Sequence, residues 1–240
     1  MLIYGINAVL EAIGAGGVRE LRVSDKAGGR AAEAVAAAQH AGIAVRRVQA
    51  NELDRAAKGG VHQGVIADVE DARHYSVEDL VTGAAAVPLI VVLDGIEDPH
   101  NVGAILRTVD AAGADGVIRQ SRHAAPLGGA AAKAAAGAVS HVKIAEVVNV
   151  ARAVEALKDA GVWTVGLAGD GSTRYDQIDF TAPTAIVVGA EGTGLRRLVR
   201  ERCDWLVSIP MHGHVQSLNV SVAAGIALFE AVRQRGGTGR

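Results

Sequence analysis

Three polar side chains, Ser217, Asn219 and Ser221, crowd the opening of a segment that is otherwise almost wholly apolar from Val220 to Val232. Pro210 halts the short apolar run Trp205 to Ile209, a loop containing Gly213 follows, and a helical pattern resumes at Ser217. Ser217 can cap that helix, since its oxygen can accept from an orphan amide. Asn219 is then left with no cap to make and is a mediocre helix former, which opens a chemical role for it. A second stretch, Val188-Gly-Ala-Glu-Gly-Thr-Gly-Leu195, ends a Val-rich run and opens an Arg-rich helix. Its glycines let a ligand approach the backbone, and its helix amides could receive an anion. Glu191 within it would repel a phosphate and suits a hydroxyl, an amine or a cation. The glycine order is G-x-x-G-x-G, not the dinucleotide fingerprint G-x-G-x-x-G, and no Walker lysine follows. A third stretch, Asp94 to Thr108, runs into a helix whose core face is Val102, Ile105, Leu106 and Val109. Asn101 stands at its edge and Arg107 off it. A helix cap and a solvated cation are the plain alternatives for these two. A fourth stretch, Ala168 to Ser172, is small and glycine-rich.

All four lie after predicted strands. From Pro88 onward the chain alternates: strand 88–94, helix 101–112, strand 116–119, helix 127–139, strand 142–148, helix 149–160, strands 162–167 and 184–189, helix 194–202, strand 205–209 and helix 217–235. This reads as a parallel or mostly parallel sheet with helices on both faces, in which ligands bind beyond the carboxyl ends of the strands. The near all-round apolarity of 220–232 implies burial on more than one face. The first 70 residues form a smaller α/β unit of three layers, with helix 6–13, strand 21–23, helix 27–41, strand 43–48, a helix 51–57 opened by an Asn51 cap, and strand 63–69. Periodicity fades between Glu70 and Val87. The expected division is therefore a domain at 1–71, a linker at 72–87 and a second domain at 88–240.

Composition narrows the function classes. With 240 residues, 50% hydrophobic and 21% charged, the chain can bury a core without staples. Its one cysteine, Cys203, excludes an intrachain disulfide framework and a Cys-based zinc site, and reads as a small buried hydrophobe. No signal-peptide pattern and no uncharged apolar run long enough for a bilayer is present, so a cytoplasmic protein without a membrane partner is expected. The net charge of −2 provides no diffuse basic field for nucleic acid, and any such contact must come from local clusters. Candidates are Arg46 and Arg47, Arg119 and Arg122, and above all Arg196, Arg197, Arg200 and Arg202, although each cluster taken alone reads more readily as a solvated charged face.

Taken together, Asn101-Val-Gly-Ala-Ile-Leu-Arg107, Val188-Gly-Ala-Glu-Gly-Thr-Gly-Leu195 and Ile209-Pro-Met-x-Gly-x-Val-x-Ser-Leu-Asn-Val-Ser-Val-Ala223 resemble the three ordered motifs of the SpoU family of 2′-O-ribose RNA methyltransferases, in the SPOUT class. Tyr4-Gly-Ile-Asn-Ala-Val-Leu-Glu-Ala12 and His62-Gln-Gly-Val-Ile-Ala67 resemble the substrate-binding domain of the branch that methylates a guanosine in 23S rRNA. The resemblance implies an α/β chain whose C-terminal methyltransferase domain is a trefoil knot and whose small N-terminal domain binds RNA. It implies S-adenosyl-L-methionine as cofactor, no metal, and a homodimer through the C-terminal domain. Carried over by motif, the cofactor would lie against Leu167, Ala168, Gly189, Gly192, Ile209, Met211 and Leu218. Arg107 would hold the phosphate beside the target ribose, Asn101 and Asn219 would orient the ribose or Arg107, Glu191 would fix the site's hydrogen bonds, and Ser217 would complete it. A guanidinium is a poor base, which favours the phosphate-holding role. A tRNA ribose methyltransferase and a non-catalytic RNA-binding or ribosome-assembly factor are the alternatives on the same scaffold. A nucleotide-dependent oxidoreductase lacks its fingerprint.

Overall fold

A computed structural model describes residues 2–57, 59–69, 75–122, 124, 125, 127 and 129–236. The chain separates into two compact units, Met1–Arg73 and His74–Arg240.

The first unit runs β1 (Leu2–Tyr4), α1 (Ile6–Ala15), β2 (Val18–Ser24), α2 (Ala31–His40), β3 (Ala44–Val48), α3 (Ala50–Ala57) and β4 (Val65–Val69). Its sheet has the order β1-β4-β2-β3, with β2 and β3 parallel and the other pairs antiparallel. Strand residues alternate between two cores, as a period of two requires. Leu21, Val23, Val65 and Ala67 pack with Val9 and Ile13 of α1 and Ala34 and Ala38 of α2, whereas Val48 and Ile66 pack with Leu53 and Ala57 of α3. Two local expectations change. The second helix begins only after Gly28 and Gly29, the latter at φ +59°. The third begins at Ala50, which places Asn51 inside the first turn and removes its capping role.

The second unit opens with α4 (Val77–Thr82), inside the stretch expected to be linker. Ser76 and Asp79 form a reciprocal capping box, and Leu80 is fully buried among Ile90, Ile118 and Val154, a burial that stabilises by about 2 kcal/mol. A six-residue helix holds too little of a 3.6-residue pattern to declare itself in sequence. There follow β5 (Leu89–Asp94), α5 (Pro99–Ala112), β6 (Gly116–Gln120), α6 (Gly129–Ala135), β7 (Ile144–Val147), α7 (Val150–Asp159), β8 (Trp163–Leu167), β9 (Thr173–Arg174), β10 (Thr184–Gly189), α8 (Arg197–Arg202), β11 (Trp205–Ser208) and α9 (Val220–Gln234). The helix expected over 127–139 breaks where Ala136 and Gly137 take φ of +50° and +93°, leaving a 3₁₀ turn at Ala138–Ser140.

The strands of this unit form a parallel sheet in the order β7-β6-β5-β10-β8-β11-β9. Leu89, Val91 and Leu93 of β5 point into a core shared with α5 and α9, while Ile90 and Val92 point into one shared with α4 and α7. The chain runs outward to β6 and β7 on one side of β5 and places β10, β8 and β11 on the other. At the point of reversal Gly189, the last residue of β10, stands opposite Asp94, the last residue of β5. Loops leaving two such strands part in opposite directions and leave a crevice above the sheet.

Candidate active site at the strand ends

The loop after β5 enters α5 through Asp98, whose side chain accepts from the His100 amide at 3.0 Å, and Pro99 occupies the first turn. Asp98 is therefore the cap, and Asn101 sits a turn further in, buried, with its side chain free for other work. That work is to accept a 2.9 Å hydrogen bond from Asn219 Nδ2. The same Nδ2 donates to Glu191 Oε1 at 2.6 Å, a charge-assisted bond. The Asn219 oxygen meanwhile accepts from the Ser221 amide at 2.9 Å and from Ser221 Oγ at 2.5 Å. Asn219 is thus the cap of α9, which starts at Val220, and Ser217 lies in the preceding loop. One amide side chain caps a helix with its oxygen and ties α5 to the loop after β10 with its nitrogen.

Two cavities meet at this bridge. The larger, of about 1200 Å³, is walled by the loops after β8, β10 and β11 and by Val220 and Ala223 of α9. Leu167, Ala168, Gly189, Gly192, Ile209, Met211 and Leu218 all line it, together with Glu191, Ser217 and Asn219. The smaller, of about 550 Å³, is formed by the loop Asp94 to Asp98 with Asn101, Gln120 and Arg196, and shares Ala190, Glu191, Thr193 and Gly194 with the first. The shared loop is folded tightly back on β10: Gly194 N donates to Ala190 O at 2.9 Å, and a Cβ on Gly189 would fall 2.2 Å from the Gly194 carbonyl carbon. Only glycine fits there. Gly192, by contrast, has open space around it, and glycine suits it through its φ of +78°.

The basic residues divide. Arg107 is exposed on α5, lines neither cavity, and makes no hydrogen bond or ion pair among the described residues. Arg46 and Arg47 are exposed on β3, Arg46 lying 3.5 Å from Glu52; Arg122 is exposed, and Arg197 pairs with Glu201 at 2.8 Å one helical turn away. Arg119, expected at an RNA contact, is not on the surface. It is buried within β6, donates to the Ala125 carbonyl at 2.6 Å and lies 3.6 Å from Glu146, while its Nε and Nη1 make no hydrogen bond among the described residues. Burial pulls its pKa down, with Glu146 acting against that pull. Arg196 is likewise not a free cation. Its amide donates to Asp94 Oδ2 at 2.8 Å, its Nε to Asp94 Oδ1 at 2.5 Å and its Nη2 to Gln120 Oε1 at 2.8 Å. Asp94 has no solvent exposure at all. No motif singles it out, and its one local mark in the sequence is an acid closing a continuous apolar strand run.

At the rim, Arg200 clamps Asp170 with bonds of 2.8 and 2.9 Å, and these hold the Asp170 carboxyl below the usual range. Cys203 is held by Val199 O at 3.3 Å, and burial pushes its thiol up to about 12, which makes it inert at neutral pH. Among the described residues no group of three or more His, Cys, Asp or Glu could hold a metal ion, and no helix is long and apolar enough to cross a membrane.

Residues 88–229, which carry every member of the bridge, match the SpoU rRNA Methylase family, and residues 2–75 match the RNA 2′-O ribose methyltransferase substrate binding family. The chain belongs to the SpoU rRNA methylase family. Within the family it is similar to the 23S rRNA (guanosine-2′-O-)-methyltransferase RlmB of Photobacterium profundum, with 46% identity over 98% of both chains. It shares 44% identity over 98% of both chains with the RlmB of Yersinia pestis. Among solved structures, the SpoU methyltransferase AviRb from Streptomyces viridochromogenes in complex with the cofactor AdoMet superposes with a TM-score of 0.66 at 30% identity, over 98% of this chain and 90% of that one. An AdoMet-bound rRNA methyltransferase from Sinorhizobium meliloti gives 0.66 at 29% identity, over 97% and 86%. The α/β architecture expected from the motifs is thus shared with SpoU methyltransferases across the chain.

Proposed function

We propose that this SpoU family member transfers the methyl group of S-adenosyl-L-methionine to a ribose 2′-hydroxyl of RNA, with a guanosine of 23S rRNA as its target. The observation that carries the reading is the Asn219 bridge to Asn101 and Glu191 at the junction of two cavities, in a chain 46% identical over 98% of its length to an enzyme of that name. The larger cavity fits the cofactor: it offers glycine backbone, the apolar side chains Leu167, Ile209, Met211 and Leu218, and the carboxylate of Glu191 beside a cationic ligand. When bound, S-adenosyl-L-methionine supplies an electrophilic methyl on a positively charged sulfur. The protein's part is alignment, because a ribose hydroxyl is a poor nucleophile and gains most from being held in line. Asn101, Glu191 and Asn219 hold that point rigid by bonding one another, and Ser217 borders it. Arg107, unpaired on the outer face of α5, holds an RNA phosphate.

Several observations support the remaining features of the reading. Val222 and Phe229 leave half their surface exposed on α9, in keeping with a homodimer through the C-terminal unit. β8 and β9 flank β11 although only residues 168–172 join them, and a Cβ on Gly171 would come within 2.5 Å of the Val207 carbonyl carbon. That arch around β11 suits a threaded, knotted chain. Exposed Arg46 and Arg47 suit an RNA-selecting role for the N-terminal unit. The test is methyl incorporation from labelled cofactor into 23S rRNA and into tRNA. Labelling of 23S rRNA is expected; labelling of tRNA alone, or of neither, overturns the assignment.

A further inference from the structure

We propose that Arg196, locked by Asp94, is a positioning residue that sets the catalytic loop carrying Glu191, and that it does not contact RNA. The inference rests on the methyltransferase reading above. The loop 190–195 is fixed at one end by Gly189, in register with Asp94 on the neighbouring strand. Its other end is Arg196, whose amide and Nε both bind the Asp94 carboxylate. The Arg196 Nη2 bond to Gln120 extends the anchor to a third strand, so β6, β5 and β10 all fix one loop. A carboxylate with no solvent exposure is costly unless fully paired, and here every bond that pairs it also fixes Arg196. Glu191, in contrast, is exposed and held at its carboxylate by Asn219. Its place therefore depends on where the anchored loop puts it. The Arg196 charge is offset by Asp94, which removes the net attraction a phosphate contact would use. A lysine could keep the charge but not the fork that reaches Asp94 and Gln120 together.

The test compares Arg196→Lys with the wild-type full chain on 23S rRNA, measuring turnover at saturating RNA and cofactor, RNA affinity at several salt concentrations, and thermal stability. Turnover is expected to fall by about tenfold or more, equivalent to ~1.4 kcal/mol, with RNA affinity and its salt slope unchanged. In a Glu191→Gln background the same substitution should cost much less, because both act through one carboxylate. A merely structural role would lower the melting temperature without that coupling. Gln120→Ala, which removes only the outer bond, should give a smaller loss in the same direction. Turnover within about twofold of wild type, additive losses with Glu191→Gln, or a salt slope reduced by about 0.7 to 0.9, the change for one lost phosphate contact, would each overturn the inference. If the wild-type protein transfers no methyl group to RNA, the functional reading fails and this inference with it; an active wild type with an unaffected Arg196→Lys refutes this inference alone.

Discussion

Asn219 reaches back across 118 residues to donate a 2.9 Å hydrogen bond to Asn101, and the same nitrogen donates at 2.6 Å to Glu191. Its oxygen caps α9, so the residue that precedes the last helix also ties the first turn of α5 to the loop after β10. The two functions reside on different atoms and can be separated. Asn219→Asp keeps an oxygen for the Ser221 amide but loses the donor and places a like charge beside Glu191. The melting temperature should change little, since the cap contributes only about 1 kcal/mol and survives. Methyl transfer should fall by at least about tenfold. Equal activity in the two proteins would show that the bridge has no part in catalysis.

Arg107 presents a different case, because it stands outside both cavities with no partner among the described residues. A free cation on a rigid helix is available to a phosphate without breaking an internal pair. Arg107→Ala should leave folding intact, lower kcat/KM by about tenfold, and reduce the slope of log affinity against log salt by about 0.7 to 0.9. Unchanged turnover on RNA would return Arg107 to the status of a solvated surface residue.

Acid stability should depend on Asp204, which accepts from Thr164 N at 2.9 Å, from Thr164 Oγ1 at 2.7 Å and from Lys158 Nζ at 2.8 Å. Burial raises its pKa, but the bonds from Lys158 and Thr164 outweigh that and hold the carboxyl below its ordinary value. A depressed carboxylate stabilises the fold above its unfolded pKa of about 4, and this contribution disappears as the pH falls through the folded value. Thermal unfolding should therefore show Asp204→Asn less stable than wild type at pH 7, with the gap closing toward pH 3. A gap that stays constant or widens in acid would contradict the assignment.

Truncation should respect α4. A chain starting at Tyr75 retains the isolated bridge from Tyr75 to Ala145 and the buried Leu80, and is expected to fold and bind S-adenosylhomocysteine while losing most activity on intact 23S rRNA. A chain starting at Val87 lacks Leu80 and should melt lower, in line with the ~2–5 kcal/mol cost of emptying a buried leucine site. Undiminished methylation by the Tyr75 chain would refute an RNA-selecting role for the N-terminal unit.

Much of this was readable before the fold was known. Continuous apolar runs such as Pro88 to Leu93 declare buried parallel strands, and the ends of such strands and the loops after them line the larger cavity with the residues named from the motifs. Short elements escaped: β1, β9 and α4 are three, two and six residues long, too brief for a period to register. Pairing across distance escaped as well. Nothing local distinguishes Arg196, which Asp94 locks from 102 residues away, from Arg197, which pairs with Glu201 one turn on. Arg119 looks like a surface cation for a related reason: its neighbourhood is basic, yet it lies inside a strand whose residues are all buried. In sequence Ser217 can serve as the cap of α9 because its oxygen can accept from an orphan amide, and only the backbone turn at Asn219 shows otherwise.

The central claim is tested most directly by incubating the purified full-length protein with unmodified 23S rRNA and S-adenosyl-L-methionine, then mapping methylation at nucleotide resolution by nuclease digestion and mass spectrometry. The account predicts a 2′-O-methyl group on a guanosine ribose, formed at least about tenfold more slowly when Asn219→Asp replaces the wild type. Methylation on a base, on the ribose of another nucleotide, or not at all would contradict it.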